Sequence, residues 1–238
     1  MGELFSLDFM LGLFPQVIVA LPKTLMIAGI SALIGLMIGL LVALVRYLNI
    51  KGLTLISKVY VSFIRGTPAL VQLMLVYYGL PIVIKIINLQ FKTAIALDLP
   101  KDVFAILALS LNAGAYMSET FRSALQAVDV GQLEASYSLN MTTAQALRRI
   151  IVPQAFAVAI PPLANTLTSL IKETSLLFTI SVVDLMAQGR IIASRSYRYL
   201  EMYVVVSIIY WVVCTILAKG FNRLEKKFRK YERGFQHD

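Results

Sequence analysis

Charged and catalytic side chains are scarce in this sequence. Of its 238 residues, 15% are charged, one is histidine and one is cysteine, whereas about 25% of a typical soluble domain is charged. The histidine, His237, lies in the tail, which excludes a histidine-based metal site or catalytic dyad in the apolar part of the chain. The cysteine, Cys214, cannot form an intrachain disulfide, so cysteine usage identifies no redox compartment. We predict no metal site and no catalytic residue.

The motifs of nucleotide hydrolysis are missing as well. No glycine is followed by lysine, so the chain has no Walker A phosphate loop, and it has neither HExxH nor GxSxG. We therefore predict that the chain is not an enzyme and binds no cofactor. If it pumps a solute, the energy must come from a partner that uses ATP or from an ion gradient.

Apolar residues, in contrast, make up 58% of the chain and occur in long runs. About 20 consecutive apolar residues are enough for a helix to cross a membrane. The sequence therefore predicts an all-α integral membrane protein with five transmembrane helices. The predicted spans cover about 25–45, 67–84, 103–125, 155–175 and 202–218.

Basic residues predict the orientation of these spans. The short link after the first span carries Arg46, Lys51, Lys58 and Arg65, and seven of the 22 basic residues fall in the last twenty positions. Because Lys and Arg concentrate in cytoplasmic loops, we predict an external N-terminus and a cytoplasmic C-terminus. Three arginines in the segment 184–201, a predicted outer loop, run against this rule, but the two basic clusters are denser. The net charge of +9 is thus interpreted as a lipid anchor and not as a nucleic-acid site.

Three regions follow from this arrangement. Residues 1–21 are an apolar segment predicted to form a short interfacial helix that ends at the helix-breaking Pro22. Residues 22–221 form the membrane domain, with 85–102 as an outer loop. Residues 222–238 form a basic cytoplasmic tail.

The first span carries small residues on one face. Ser31, Gly35, Gly39 and Ala43 recur every four residues, and such a stripe lets a second helix approach closely. We therefore predict helix packing along this face.

Polar residues interrupt the third span. It contains Asn112, Tyr116, Glu119 and Arg122, and the last two are three residues apart, hence adjacent on a helix. Charges inside a span normally face a bundle interior or a water-filled path. Two interpretations remain open, a structural ion pair and part of a transport path.

The fourth span is interrupted by prolines and charges. Pro161 and Pro162 permit a bent or broken helix, which membranes tolerate where the backbone lines a cavity or is buried in protein. Asn165 follows, and the run from Lys172 to Ser175 lies deep in the apolar stretch. Such a composition is expected at a polar solute site near the membrane midplane.

The segment 130–153 is too polar to span a membrane and lies between spans. One interpretation is a short helix pair in a cytoplasmic loop that sits in a groove of a partner protein. The alternative is an amphipathic helix lying on the bilayer.

This segment resembles the EAA loop of type I ABC importer permeases. That pattern reads E-A-A, three residues, G, nine residues, I, one residue, L-P, and the spacing from Glu134 to Pro153 matches it. Ser136 replaces an Ala, Val152 replaces Leu, and Asn140 replaces Gly. Since Asn tolerates a left-handed backbone best after Gly, we predict that the turn is kept.

Further segments are similar to the polar-amino-acid branch of that family, the histidine, glutamine, arginine and cystine type. They are Phe63–Leu73, Gly114–Arg122 and Leu170–Leu176. The resemblance covers Pro22 to Phe221 and implies a multi-pass permease subunit in a bacterial cell membrane that forms the translocation pathway for polar amino acids. It further implies a second permease copy, identical or paralogous, two ATPase subunits that hydrolyse the ATP, and an external solute-binding protein.

Two sets of site residues follow. The resemblance implies that the coupling contact to the ATPase involves Glu134, Ala135, Ser136, Asn140 and Pro153. Our candidates for substrate contact are polar side chains in the third and fourth spans, and Arg122 is assigned to a gate or ion pair. The substrate candidates are Asn112, Tyr116, Glu119, Asn165, Lys172, Glu173, Thr174 and Ser175.

Two other functions remain as hypotheses. One is a stand-alone secondary transporter or channel with Glu119, Arg122, Lys172 and Glu173 as an ion relay, although no inverted repeat of the kind found in such transporters is visible. The other is a scaffold that only anchors a soluble partner.

Overall fold

The computed structural model describes residues 5–95 and 98–234, with side chains described as far as residue 226. The described residues contain helices and no strand, which confirms the all-α prediction. Residues 1–4 of the predicted interfacial segment and residues 235–238 of the predicted tail lie outside the described part. The α-helices are α1 Leu7–Ile18, α2 Leu21–Tyr47, α3 Leu53–Gly66, α4 Ala69–Phe91, α5 Lys101–Gln126, α6 Val130–Ser138, α7 Thr143–Ala146, α8 Val152–Glu173, α9 Leu185–Ser196 and α10 Tyr199–Gly234.

Four helical stretches of the described chain are long and apolar enough to cross a membrane. They are Leu21–Tyr47, Ala69–Phe91, Thr143–Ile180 and Tyr199–Lys226. The third stretch joins α7 to α8 through a π-helical turn and continues into a 3-10 helix, Thr174–Ile180. The predicted spans 25–45, 155–175 and 202–218 fall within these stretches, and 67–84 begins two residues before α4.

The remaining predicted span, 103–125, corresponds to α5. This helix has 26 residues, but its polar residues keep it out of the four apolar stretches. Its position explains the difference, because α5 packs against α2, α3, α4 and α8. A helix that faces protein on several sides is free of the requirement for an apolar lipid-facing surface.

The contact between α2 and α5 depends on small residues. Ser31, Gly35, Gly39 and Ala43 are all buried, which confirms the packing prediction for this face. A Cβ added at Gly39 would lie 2.8 Å from the Cβ of Met117. The two helix backbones therefore approach more closely than larger side chains allow.

The sequence interpretation missed two helices. We interpreted 46–65 as a short link and 184–201 as an outer loop, whereas both contain an ordered helix, α3 and α9. Charged residues interrupt the apolar pattern of both segments. In α3 the periodicity is nevertheless helical, because Ser57, Val61 and Ile64 form one buried strip.

Prolines inside two of the long helices do not break them. Helix α8 runs without a break through Pro161 and Pro162, and α4 runs through Pro81. Pro22 lies in the first turn of α2, where a proline is tolerated because its missing N–H has no helical acceptor. The preceding helix, α1, ends at Ile18, so Pro22 does not end it as predicted.

A second, smaller core joins the first helix of the chain to the last. Leu13 and Val17 of α1 are buried against Leu185, Met202 and Val205 of α9 and α10. With 36 residues, α10 is about 54 Å long at 1.5 Å per residue. This length exceeds the ~30 Å of hydrocarbon in a bilayer, so α10 is longer than a membrane span requires.

Candidate solute pathway and coupling segment

Glu119 on α5 is the centre of a charged cluster. Its carboxylate accepts hydrogen bonds from Arg122 Nε and NH2 at 3.1 and 2.8 Å and from Arg46 at the end of α2. The guanidinium of Arg65, at the end of α3, lies 3.8 Å from the same carboxylate. The cluster therefore ties three helices together, with three arginines around one carboxylate.

Arg65 and Tyr116 form the exposed side of this cluster. The Arg65 guanidinium lies 5.8 Å from the centre of the Tyr116 ring, and Tyr116 is 40% exposed. This is cation–π distance. Tyr116 is thus placed one helical turn before Glu119, with its ring accessible.

Asn112 has a structural partner that the sequence did not reveal. Its side-chain amide donates to Gln72 Oε1 at 2.8 Å, and both residues are buried. The Gln72 amide in turn donates to the Ile64 carbonyl at 2.7 Å and to Thr67. These bonds involve carbonyl groups at the C-terminal end of α3 and tie α4 to α5, so Asn112 donates one hydrogen bond within the protein.

The candidates on α8 lie along an exposed polar stripe. Asn165 and Lys172, two helical turns apart, are both exposed, and Ser169 between them is partly exposed. Glu173, the last residue of α8, and Ser175 are partly buried. An accessible ammonium beside a half-buried carboxylate can pair with both charged groups of a zwitterion.

Thr174 belongs to a buried polar network instead. It is fully buried, and its hydroxyl lies 3.3 Å from the Tyr210 hydroxyl, which lies 3.4 Å from Asp184 Oδ2. Asp184 caps α9 by accepting from the Ala187 N–H at 2.9 Å. Burial raises the pKa of the Asp184 carboxyl, although the Ala187 hydrogen bond acts in the opposite direction.

The two groups of substrate candidates remain separate. Among the residues that the structure describes, no hydrogen bond or ion pair links the polar side chains of α5 to Asn165 or to the run from Lys172 to Ser175. Helices α5 and α8 do pack together, and buried alanines of both helices belong to one apolar core. Any solute that contacts both groups must therefore bridge them.

The segment 130–151 forms a compact helical elbow that we call the coupling segment. Helix α6 begins at the N-cap Asp129, which accepts from the Gly131 N–H at 2.7 Å. Helix α7 begins with a capping box in which Thr142 and Gln145 bind each other's backbone. Ser136 and Ala146 are buried in the elbow between the helices. The caps show that the sequence specifies two helix starts here.

The turn between α6 and α7 has the backbone that we predicted. Asn140 has a φ of 56°, in the left-handed region that favours Gly and then Asn. The Met141 N–H bonds back to the Ser136 carbonyl at 3.1 Å, which closes the end of α6. The replacement of Gly by Asn in the pattern therefore preserves the turn.

The outer surface of the coupling segment is accessible. Glu134 and Ala135 are exposed, and so are Val130 and Leu139, at 69% and 75%. An acidic residue among exposed apolar side chains is typical of a surface that a partner covers. Ser136, the third residue of the Glu-Ala-Ser motif, instead faces the interior and donates to the Gln132 carbonyl at 2.6 Å.

Pro153 lies within a continuous helical path. The π-helical turn Leu147–Ile151 connects α7 to α8, and exposed Pro153 is the second residue of α8. A proline has no N–H for the usual helical bond, and a π turn changes the bonding pattern at such a point. The exposed Arg148 and Arg149 line an open cavity of about 390 Å³ beside this turn.

Sequence reasoning missed several polar residues that the fold brings together. Arg46 and Arg65 looked like orientation signals, and Asp184 like part of an outer loop. A carboxylate inside a membrane span is energetically costly and needs cationic partners. Glu119 could therefore have pointed to Arg46 and Arg65, because Arg122 alone leaves room for further partners. Gln72 lies in the segment Phe63–Leu73, but nothing in the sequence indicates that its side chain is buried.

Comparison with known proteins gives one family. The family model described as "binding-protein-dependent transport system inner membrane component" matches residues 35–230. This range includes every candidate site residue named above.

Similar proteins of known sequence or structure cover almost the whole chain. The probable amino-acid permease protein YxeN of Bacillus subtilis is 46% identical and aligns over 92% of this chain and 96% of its own length. The L-cystine transport system permease protein TcyL of the same organism is 36% identical over 97% of this chain and 94% of its own length. A crystal structure of an amino acid ABC transporter with histidines is similar with a TM-score of 0.81 and 35% identity, covering 94% of this chain and 99% of that one.

Proposed function

Since this chain belongs to the family of binding-protein-dependent transport system inner membrane components, and is thus a multi-pass inner-membrane protein, we propose that it is the membrane subunit of an ATP-driven importer of polar amino acids. The observation that carries the proposal is the coupling segment, a capped helical elbow with an exposed acidic and apolar surface. Polar side chains on neighbouring helices α5 and α8 supply the second requirement, a path for a charged solute.

The coupling segment transmits work from partner ATPase subunits. Glu134 lies exposed on α6, with exposed Leu139 one residue before the left-handed turn. A rigid elbow of this kind can move as one body when a partner pulls it. Because α7 continues through a π turn into α8, displacement of the elbow passes directly to the helix that carries Asn165 and Lys172. Rigid-body motion of this type produces alternating access.

The solute path uses the accessible members of the two polar groups. Lys172 binds the carboxylate of an amino acid and Glu173 binds its ammonium, while Tyr116 offers an aromatic face. Asn112 and Thr174 hold the surrounding helices in place through Gln72 and Tyr210. Glu119, Arg122 and Arg46 form a charged lock at one end of α5 that acts as the gate.

The membrane arrangement follows from charge and helix length. We propose five spans, α2, α4, α5, α8 and α10, with an external N-terminus and a cytoplasmic C-terminus. The basic link at the start of α3, the coupling segment and the end of α10 then share the cytoplasmic face. Two such chains pair in the membrane with two ATPase subunits, which hydrolyse ATP, and a solute-binding protein delivers the amino acid from outside.

Reconstitution into liposomes tests this function. The chain is inserted with the ATPase that co-purifies with it and its solute-binding protein, and uptake of radiolabelled arginine, cystine and glutamine is measured. We expect uptake of at least one of them that requires ATP and both partners.

The matched control is the same chain inserted alone, with a proton gradient imposed across the membrane. We expect no uptake in that case. Gradient-driven uptake by the chain alone would reject the importer subunit and support a secondary transporter.

A further inference from the structure

Helix α3 carries three different strips along its 14 residues. The first strip, Ser57, Val61 and Ile64, is buried against the bundle. The second, Leu55, Val59 and Phe63, is apolar and exposed, with Leu55 at 68%. The third consists of Lys58, Ser62 and Arg65, which are exposed and at helical spacing lie between the other two. The third strip therefore runs directly beside the exposed apolar strip.

The polar strip lines an open cavity of about 400 Å³. Arg46 and Glu119 form the opposite wall of the cavity, beside Lys58, Ser62 and Arg65. Its volume is sufficient for a phosphate group with part of a glycerol. The cavity thus lies where the ends of α2 and α3 meet the C-terminal part of α5.

Positive charge in this cavity is only partly compensated. Arg46, Arg65 and Arg122 all contact the single carboxylate of Glu119, and Lys58 has no ion pair or hydrogen bond among the described residues. Arg46 Nε is buried and has no acceptor in the described part of the chain. Three cationic side chains, Arg46, Lys58 and Arg65, line the cavity against the one carboxylate of Glu119. The cavity therefore attracts an anion.

We propose that this cavity binds the phosphate headgroup of an anionic phospholipid from the inner leaflet. Lys58, Arg65 and Arg46 bind the phosphate, Ser62 donates its hydroxyl to it, and an acyl chain lies along Leu55, Val59 and Phe63. Basic pockets between membrane helices on the cytoplasmic side bind acidic headgroups in this manner. The site rests on the membrane orientation proposed above, but not on ATP-driven uptake.

The geometry gives this lipid a role at the Glu119 cluster. Arg46 and Arg65 would be shared between the lipid phosphate and the Glu119 carboxylate, because both arginines line the cavity and contact Glu119. A bound lipid therefore fixes the ends of α2 and α3 against α5. An apolar strip alone would bind any lipid, so charge and apolar strip together select an anionic one.

Native mass spectrometry of the full-length chain tests the site. The delipidated protein is titrated with phosphatidylglycerol or with phosphatidylcholine of the same acyl chains. We expect the wild type to bind phosphatidylglycerol at least tenfold more tightly. Lys58→Gln should weaken the binding of phosphatidylglycerol roughly fivefold, which is the usual effect of one basic residue near a membrane surface.

Lys51→Gln is the matched control, because Lys51 is an exposed lysine just before α3 and outside the cavity lining. It should change the affinity less than twofold, and Lys58→Gln should unfold at the wild-type temperature. Equal losses in both variants would show diffuse attraction and overturn the site. So would an absent preference for phosphatidylglycerol.

A soluble headgroup separates a lipid from a free phosphate. Glycerol phosphate at millimolar concentration should fail to displace the lipid, and Val59→Ser should weaken phosphatidylglycerol binding. Full displacement by glycerol phosphate would mean that the site takes a soluble anion, which overturns the lipid assignment. An unchanged affinity in Val59→Ser would do the same.

Discussion

Arg122 donates two hydrogen bonds to one carboxylate oxygen of Glu119, from Nε at 3.1 Å and from NH2 at 2.8 Å. The two residues are three positions apart on α5, and both side chains are largely buried, at 29% and 16% exposure. Arg46 binds the other carboxylate oxygen. The pair is thus one part of a cluster that connects α2, α3 and α5.

The first prediction concerns this cluster. Glu119→Gln should lower the free energy of unfolding by about 2–3 kcal/mol, because it leaves the arginines without their anion. Thermal unfolding of the purified chain in detergent measures the effect. In a double-mutant cycle with Arg122→Gln, we expect a coupling energy of ~1–2 kcal/mol. Strictly additive single losses would mean that the contact contributes nothing.

Helix packing between α2 and α5 gives a second prediction. Gly39→Ala should lower the unfolding free energy by about 1–3 kcal/mol, because the added Cβ would lie 2.8 Å from Met117 Cβ and 3.1 Å from the Gly114 carbonyl oxygen. Gly29→Ala, on the same helix, is the control, because a Cβ there would meet nothing within 4 Å. Denaturant unfolding in micelles compares the two variants. Equal stability would contradict the close approach of the helices.

The turn of the coupling segment can be tested by backbone strain. Asn140→Val should destabilise the elbow by about 1–2 kcal/mol, since a branched residue is unfavourable at a φ of 56°. Amide hydrogen exchange of residues 130–146 should then accelerate roughly tenfold. Asn140→Gly, the matched variant, should exchange at the wild-type rate or more slowly. Similar exchange in both variants would argue against the left-handed turn.

Lys172 provides a test of the solute path. Lys172→Ala should raise the KM for uptake by the assembled complex roughly 10- to 100-fold, because a charge-assisted hydrogen bond to the amino-acid carboxylate is lost. Lys85→Ala, at another exposed lysine of the apolar helices, should leave KM unchanged. Normal kinetics in Lys172→Ala would remove this residue from the path.

The sequence alone predicts the long helices well, and the reason is physical. Apolar runs must be helical in a membrane, so α2, α4, α8 and α10 could be located from hydropathy. The small-residue stripe with Gly35 and Gly39 also revealed a packing face. Hydropathy and helical spacing depend on residues that are close in sequence, so both features can be recognised without a structure.

Polar contacts between distant segments could not be predicted in this way. Arg46 also binds Glu119, although the two residues are 73 positions apart in the sequence. Thr174 looked like a solute contact, but packing turns it towards Tyr210 and Asp184. Asn112 likewise bonds to Gln72, 40 residues away. Whether a polar side chain is a contact for solute or for protein depends on packing that no local pattern records.

ATPase activity of the reconstituted complex is the decisive measurement, with Glu134→Lys in the coupling segment. Glu134 is exposed on α6, so the variant should insert and fold normally. We expect stimulation by the substrate-loaded binding protein to disappear, because the charge that meets the ATPase is reversed. Glu134→Asp, which keeps the negative charge at the same exposed position, should retain stimulation. Stimulation at the wild-type level in Glu134→Lys would contradict the proposal that this segment receives the work of ATP hydrolysis.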